Sequence, residues 1–138
     1  MDKALLDTDI LSEIFKARNE AIAAQAAVYK AGFGQFTTSA ITVMEMVKGF
    51  QKMRRADAIQ KLLEGLKSSE VLAFDRACAE VAGRIHGDLE RMGQPIGRAD
   101  AMIAAIALVH DLTLVTGNTR HYRRIQALGY PLKLETWR

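Results

Sequence analysis

Short apolar runs alternate with longer helical patterns of apolar and polar residues along the chain. The short runs predict five β-strands, over residues 3–6, 35–39, 71–74, 113–115 and 132–134. The segments between them predict seven helices, over residues 10–16, 19–31, 43–50, 56–66, 76–92, 99–110 and 120–128. Strands separated by helices are typical of a parallel sheet with right-handed crossovers, covered by helices on both faces. The pattern therefore predicts an α/β fold, a three-layer α/β/α domain with a central parallel sheet.

Glycines mark several of the predicted helix ends. Gly32 is expected to end the second helix, Gly93 the fifth and Gly129 the last, because glycine readily adopts the conformation that terminates a helix. The third and fourth predicted helices, over 43–50 and 56–66, form a helical arm. This arm carries a set of basic residues: Lys48, Lys52, Arg54, Arg55 and Lys61.

Size and composition are those of one ordinary domain, which we expect to span residues 1–138. About half of the residues are apolar (49%), enough to bury a core, and the net charge of +3 permits an anionic partner without requiring one. The single cysteine, Cys78, rules out an internal disulfide framework and suits a reducing compartment. The apolar runs over 4–6 and 101–109 are too short for a signal peptide or a membrane span. We therefore expect a cytoplasmic protein with no membrane partner.

Acidic and polar side chains follow the predicted strands, at the edge where open parallel sheets place their functional crevice. They comprise Asp7 and Asp9 after the first strand, Glu45 beyond Ser39, Asp75 after the third strand, and the segment Thr116 to Asn118 after the fourth. Asp100 opens the helix predicted over 99–110. If Asp7, Glu45 and Asp100 each open a helix beside the same edge, their side chains can converge.

Each of these carboxylates also has a purely structural explanation. Asp7 or Asp9 could cap the first helix, and Asp75 is better explained as a cap than as a ligand. Thr42 and Glu45 have the spacing of a capping box, in which the two side chains satisfy the first amides of a helix. Asp100 lies where the helix dipole favours a negative charge. Only their common position at one sheet edge favours function.

Convergent carboxylates repel one another unless a cation relieves the repulsion. Ligation by oxygen alone suits Mg²⁺ or Mn²⁺ rather than zinc. The histidines His86, His110 and His121 lack paired ligand spacing and are expected at the surface or at helix ends. Neither a phosphate-binding glycine loop nor an activated Ser or Cys nucleophile is present, which argues against nucleotide-loop and acyl-transfer chemistry.

Four segments together carry a family resemblance: LLDTDILSEIF, TTSAITVMEMVKGF, GQPIGRADAMIAAIAL and LTLVTGNTRHYRRI, in this order between residues 3 and 125. In this set the chain resembles PIN-domain ribonucleases, specifically the VapC-type toxins of bacterial type II toxin–antitoxin systems. The resemblance implies that Asp7, Glu45 and Asp100 bind the metal and that Asn118 completes the catalytic set, with Thr8 and Thr116 in support. Many relatives have an acidic residue at the position of Asn118, or an aspartate at that of His121, so the fourth ligand is left open.

The resemblance implies an endoribonuclease in which one Mg²⁺ or Mn²⁺, with a second left open, activates water for attack on an RNA phosphodiester. The RNA-binding residues that we expect are basic and lie on both sides of the site: Lys48, Lys52, Arg98 and Arg120. It further implies a VapB-like antitoxin and a homodimer. An apolar row on the helical arm is the expected antitoxin docking face: Val43, Met44, Val47, Phe50 and Met53.

Two alternatives come from other functional classes. The sequence Asp7-Thr8-Asp9 after a strand also resembles the nucleophile motif of haloacid-dehalogenase-type phosphatases, although that motif usually has Thr or Val where Leu11 stands and would leave Glu45 without a role. A PIN-like domain could also bind RNA or a partner without cleaving anything, because its fourth motif departs from the family pattern. The motifs specify neither the RNA nor the cleavage position, since relatives with very similar motifs cut transfer, ribosomal or messenger RNA.

Overall fold

The computed structural model describes residues 1–138 and contains five strands and seven helices. In chain order they are β1 Ala4–Leu6, α1 Thr8–Lys16, α2 Glu20–Phe33, β2 Thr37–Ser39, α3 Ala40–Lys52, α4 Ala56–Leu66, β3 Glu70–Leu72, α5 Arg76–Arg91, α6 Arg98–Val109, β4 Thr113–Val115, α7 Thr119–Ala127 and β5 Lys133–Glu135. Every predicted element is present. None of the helices combines the length and the apolar character that crossing a lipid bilayer requires.

The strands form two parallel ladders, one with the order β1-β4-β5 and one that pairs β2 with β3. Leu5 lies opposite Leu114 in the first ladder, and Thr38 lies opposite Val71 in the second. The ladders meet where β2 lies beside β1, and the Thr38 hydroxyl donates a hydrogen bond to the Leu6 carbonyl at 3.1 Å. The predicted parallel sheet is therefore confirmed, with a side-chain contact in place of a backbone ladder at its centre.

Both faces of β1 and β4 are buried. Leu5 and Leu114 point into a core shared with α5, α6 and α7, whereas Ala4, Leu6 and Val115 point into a second core shared with α1 and α2. This alternation follows from the two-residue period of a strand, and burial on both faces explains why the strands read as continuous apolar runs. Helices on both faces of a parallel sheet confirm the three-layer prediction.

Several element boundaries differ from the predicted ones. Gly32 does not end α2, because the helix continues to Phe33 and Gly34 adopts the left-handed conformation, with φ 81°, that terminates it. The helix α3 begins at Ala40 rather than at residue 43, since the Ser39 side chain accepts a hydrogen bond from the Thr42 amide and caps it. The third strand covers Glu70–Leu72 instead of 71–74.

Candidate active site at the strand ends

Asp7 is positioned by both elements that it joins. Its backbone amide continues the β1–β4 ladder by donating to the Val115 carbonyl at 3.0 Å, and it is the N-terminal cap of α1. Its side chain is only 5% exposed and accepts three hydrogen bonds: from the Thr8 amide at 2.8 Å, the Thr116 hydroxyl at 2.8 Å and the Tyr122 hydroxyl at 3.1 Å. The carboxylate thus both caps a helix and belongs to a buried polar network.

The pKa of Asp7 is raised from 3.8 to about 6, chiefly by burial and in smaller part by the nearby charges of Asp9 and Asp100. The hydrogen bonds from Thr116 and Thr8 oppose this shift without cancelling it. Desolvation and repulsion by like charges both disfavour the ionised form of Asp7. A bound cation would stabilise that ionised form.

Tyr122 joins the buried Asp7 to the partly buried Asp100. Its hydroxyl lies 3.1 Å from Asp7 Oδ2 and 3.4 Å from Asp100 Oδ1, and its side chain is fully buried. Burial and the two aspartates hold the pKa of Tyr122 well above 10, so the phenol stays a neutral donor. Sequence reasoning missed this residue. Its one signal was the spacing of four residues from Asn118, which places both on one face of α7.

Asp100 lies in the first turn of α6, as predicted, and is joined to α7 by two side chains. His121 Nδ1 lies 2.9 Å from Asp100 Oδ2, and Asn118 Nδ2 lies 3.4 Å from the same oxygen and 3.0 Å from His121 Nδ1. A proton on Nδ1 lets His121 donate to Asp100, whereas the other tautomer accepts from Asn118. His121 lies in the first turn of α7, as expected of a helix-end residue, and α7 turns its ring toward the acidic edge.

Glu45 is in the body of α3 and takes no part in a capping box. Ser39 caps that helix, so the capping interpretation of Thr42 and Glu45 was wrong, as was the idea that Glu45 opens a helix. Glu45 Oε1 instead accepts from the Thr8 hydroxyl at 2.6 Å, and the same hydroxyl lies 3.0 Å from that of Thr42. Thr8 therefore links Glu45 to Asp7, its amide bonded to one carboxylate and its hydroxyl to the other.

Asp9 is a fourth carboxylate at this edge. Its Oδ2 accepts from the Gly117 amide at 2.8 Å and lies 4.0 Å from the Arg138 guanidinium, while its Oδ1 is buried without a hydrogen-bond partner. Asp75, in contrast, accepts from the Cys78 amide at 3.0 Å as the cap of α5, which confirms its structural interpretation.

The donor set fits a hard divalent cation in its chemistry. The available groups are the carboxylates of Asp7, Glu45 and Asp100 with the amide oxygen of Asn118, and oxygen ligands are those that Mg²⁺ and Mn²⁺ prefer. The side chains do not form a ready-made cage, since no three acidic, histidine or cysteine groups lie close enough to hold one ion. Tyr122 stands between two of the carboxylates, and Thr8 holds the third.

The predicted RNA-binding residues are all exposed, and none of them forms an ion pair. Lys48 and Lys52 lie three and seven residues after Glu45, so all three lie along one side of α3. Arg98 begins α6, two residues before Asp100, and Arg120 precedes His121 in α7. A groove of about 550 Å³ extends from Thr8 and Glu45 between α1 and α3. Its other lining residues include Phe15, Lys16, Arg18, Phe50, Met53 and Arg55.

The fold and the carboxylates at the strand ends agree with the family to which the chain is similar. The profile described as PIN domain matches residues 4–127, and the chain belongs to the PIN-domain family. Within it, the chain belongs with the VapC ribonucleases, as it is 33% identical to the tRNA(fMet)-specific endonuclease VapC of Shigella flexneri over 138 residues, 99% of each chain.

Solved structures give the same result. VapBC from Salmonella typhimurium bound to DNA superposes with a TM-score of 0.81 at 31% identity over 100% of both chains. VapBC2 from Rickettsia felis, bound to a promoter DNA fragment, gives a TM-score of 0.81 at 26% identity over 98% of each chain. The haloacid-dehalogenase-type alternative is therefore not favoured, and the buried, triply bonded Asp7 is poorly placed to act as a nucleophile.

Proposed function

We propose that this protein is a Mg²⁺- or Mn²⁺-dependent endoribonuclease, the toxin of a VapBC-type toxin–antitoxin pair. The observation that carries the proposal is the network of Asp7, Tyr122 and Asp100 at the carboxyl ends of the strands. Asp7 and Asp100 are two acids to which the PIN-family resemblance assigns a metal-binding role, and the fold brings both to the hydroxyl of one buried tyrosine.

Asp7, Glu45 and Asp100 would hold the ion, with Asn118 as a further candidate; when bound, it would supply Lewis-acid activation of water and stabilise the leaving 3′ oxygen. The other residues position these ligands. Thr116 and Tyr122 orient Asp7, and Thr8 orients Glu45. His121 and Asn118 orient Asp100 and limit how far its carboxylate can rotate.

RNA is the proposed substrate. Lys48, Lys52, Arg98 and Arg120 are exposed and unpaired, so their charges are free to contact the phosphates on either side of the scissile bond. The Shigella flexneri relative is named as specific for tRNA(fMet), which makes an initiator tRNA the first substrate to test.

We also propose a VapB-like partner that covers the acidic site and a homodimer of this chain. Met44 and Met53 of the predicted docking row are 55% and 64% exposed, whereas Val47 and Phe50 pack partly onto the second core. An apolar partner segment fits the groove beside α3, where a basic residue could reach Glu45 and compete with Mg²⁺. The predicted cytoplasmic location follows from this function and stays a prediction.

Cleavage of initiator tRNA by the purified protein tests the proposed reaction. We expect cleavage with Mg²⁺, none with EDTA, and a loss of at least 100-fold, on the order of what removal of a metal ligand costs, in Asp100→Asn and Glu45→Gln. Glu45→Gln should remain folded, because the amide oxygen can still accept from the Thr8 hydroxyl. Asp75→Asn, a helix cap outside the site, is the matched control and should cleave normally.

Binding of RNA without metal-dependent cleavage would instead support the non-enzymatic alternative.

The partner is tested separately by coexpression with the product of the neighbouring gene. We expect the two proteins to purify together and the partner to suppress growth arrest. Failure of both would remove the toxin–antitoxin assignment even if cleavage remained.

A further inference from the structure

Arg138 is the one Arg or Lys side chain that forms an ion pair with a carboxylate of the strand-end site. Its Nη2 lies 4.0 Å from Asp9 Oδ2, and every other Arg or Lys ion pair in the structure joins surface residues elsewhere. The side chain is 47% exposed. A guanidinium carries five N–H donors, so a single contact at 4.0 Å leaves most of them available to a ligand.

The backbone that leads to Arg138 is fixed at two points, Glu135 and Trp137. Thr116, directly after β4, donates its amide to the Glu135 carbonyl at 3.0 Å, which joins the loop of the site to the end of β5. Trp137 is 2% exposed and packs against Tyr29 in the second core, with ring centroids 5.7 Å apart. Arg138 therefore lies on an anchored segment beside the acidic edge.

Gly117 gives the guanidinium room to approach. A Cβ at this position would lie 2.5 Å from Asp9 Oδ2 and 2.7 Å from Arg138 Nε, so both side-chain ends would have to move away. The Gly117 amide also donates to Asp9 Oδ2 at 2.8 Å. Asp9 is thus held by the loop, and in turn it holds Arg138 beside the loop that carries Thr116 and Asn118.

We propose that Arg138 is a substrate-binding residue whose guanidinium binds an RNA phosphate at the edge of the acidic site, positioned by Asp9 and Gly117. The proposal rests on the ribonuclease function proposed above and adds a residue to it. An RNA backbone that approaches an edge with four carboxylates needs a cation close to them, and the exposed lysines of α3 form no ion pair with any of the four. The planar fork of Arg matches two phosphate oxygens, whereas its exposed pairing with Asp9 contributes little stability.

Steady-state cleavage of RNA by Arg138→Gln, compared with the wild type, tests the proposal. We expect KM to rise about tenfold, the usual effect of losing one charge-assisted hydrogen bond, while kcat changes less than about threefold. Arg138→Lys should recover part of the loss, because it keeps the charge but not the fork. Gly117→Ala should raise KM in the same direction, since its methyl group displaces the guanidinium.

Binding of a fluorescent RNA in EDTA gives a readout independent of catalysis. In Arg138→Gln the slope of log Kd against log salt should fall by about 0.7, the value for one phosphate contact to a single strand. Arg84→Gln is the matched control, because it removes the same charge from an Arg paired with Glu80 on α5 and should leave both KM and slope unchanged.

An unchanged KM and salt slope in Arg138→Gln, with an active wild type, would overturn the role of Arg138 and leave the ribonuclease function intact. A lower melting temperature with the same KM would assign Arg138 a structural role only. A wild type that neither binds nor cleaves RNA would reject the proposed function and this inference together.

Discussion

Asp7 combines two requirements that oppose each other. As the cap of α1 it stabilises the helix, but its burial beside Asp9 and Asp100 raises its pKa to about 6. The folded protein therefore binds the Asp7 proton more tightly than the unfolded chain does, so this group favours folding most below pH 3.8. That contribution is lost as the pH rises from 3.8 through about 6.

The first prediction concerns the stability of Asp7→Asn. The amide keeps the shape of the side chain and an acceptor for Thr8, while the hydroxyls of Thr116 and Tyr122 can rotate to accept from it. At pH 8 without divalent cations the variant should be more stable than the wild type by about 1–3 kcal/mol, the upper limit being two pKa units. Urea unfolding at pH 8 and pH 4 measures this.

The gain should vanish at pH 4, where the wild-type carboxylate is already protonated. Asp75→Asn is the control, since hydrogen bonds with Cys78 lower the pKa of Asp75 and its replacement should give no gain at pH 8. A destabilised Asp7→Asn at pH 8 would mean that its hydrogen bonds outweigh the buried charge.

The second prediction follows from the same titration. Because metal and proton would compete for Asp7, cleavage at limiting Mg²⁺ should fall as the pH drops through about 6. Raising the Mg²⁺ concentration should shift the midpoint to lower pH. Initial cleavage rates at several fixed Mg²⁺ concentrations between pH 5 and 8 check this, and a midpoint independent of Mg²⁺ would exclude Asp7 as the competing group.

At the level of elements, local patterns predicted the strands and helices because burial on both faces of the sheet leaves a strong apolar signal. The errors came from choices between neighbouring residues. Gly32 and Gly34 both suit a helix end, and it is Gly34 that adopts the left-handed conformation and ends α2. Ser39 and Thr42 are both residue types that cap helices. Because α3 begins at Ala40, Ser39 is its cap, and the Glu45 side chain is not needed for capping.

The contribution of α7 could not be predicted in the same way. Asn118 was identified through the family resemblance, which also drew attention to the position of His121, whereas the spacing of Tyr122 from Asn118 was its only signal. Nothing local predicted that these two residues contact Asp100 and Asp7. Tyr122 and Asp7 are separated by 115 positions in the chain. Only the placement of α7 against α6 and β1 brings these groups together, and that depends on the whole core.

The third prediction tests this role of α7. Tyr122→Phe removes the donor shared by Asp7 and Asp100, so it should lower stability by about 1–2 kcal/mol, as expected for a buried hydrogen bond to a charged group. It should also change the Mg²⁺ concentration needed for half-maximal cleavage. Thermal unfolding and a Mg²⁺ titration measure the two effects.

Tyr130→Phe provides the matched control. Its hydroxyl donates to Asp88 at 3.4 Å on α5, outside the site, so stability should change by less than about 0.5 kcal/mol and the Mg²⁺ requirement should not change. Equal Mg²⁺ requirements in Tyr122→Phe and wild type would make Tyr122 a core residue without influence on the site.

For the whole molecule, the ordered motifs were enough to identify the family and to name Asp7, Glu45 and Asp100, because that information is spread over the chain. The sequence could not give the network that links them through Thr8 and Tyr122, nor the approach of Arg138 to Asp9. Both need side chains from distant segments to meet. The groove between α1 and α3 also depends on how the helices pack, although part of the apolar row that borders it was predicted from the sequence.

The last prediction uses that groove to separate partner binding from catalysis. Met53 lines the groove and is 64% exposed, so it packs little within this chain. Met53→Asp should weaken binding of the VapB-like partner at least tenfold, because it places an unpaired charge on an apolar contact surface. Folding and cleavage of RNA should be unaffected.

Met92→Asp is the control. Met92 follows α5 and is 52% exposed, so this variant introduces the same charge outside the groove and should bind the partner normally. Calorimetric titration of both variants with the partner measures the two affinities. Equal affinities of Met53→Asp and Met92→Asp would show that the partner does not dock in the groove, and they would leave the proposed chemistry of the acidic site unaffected.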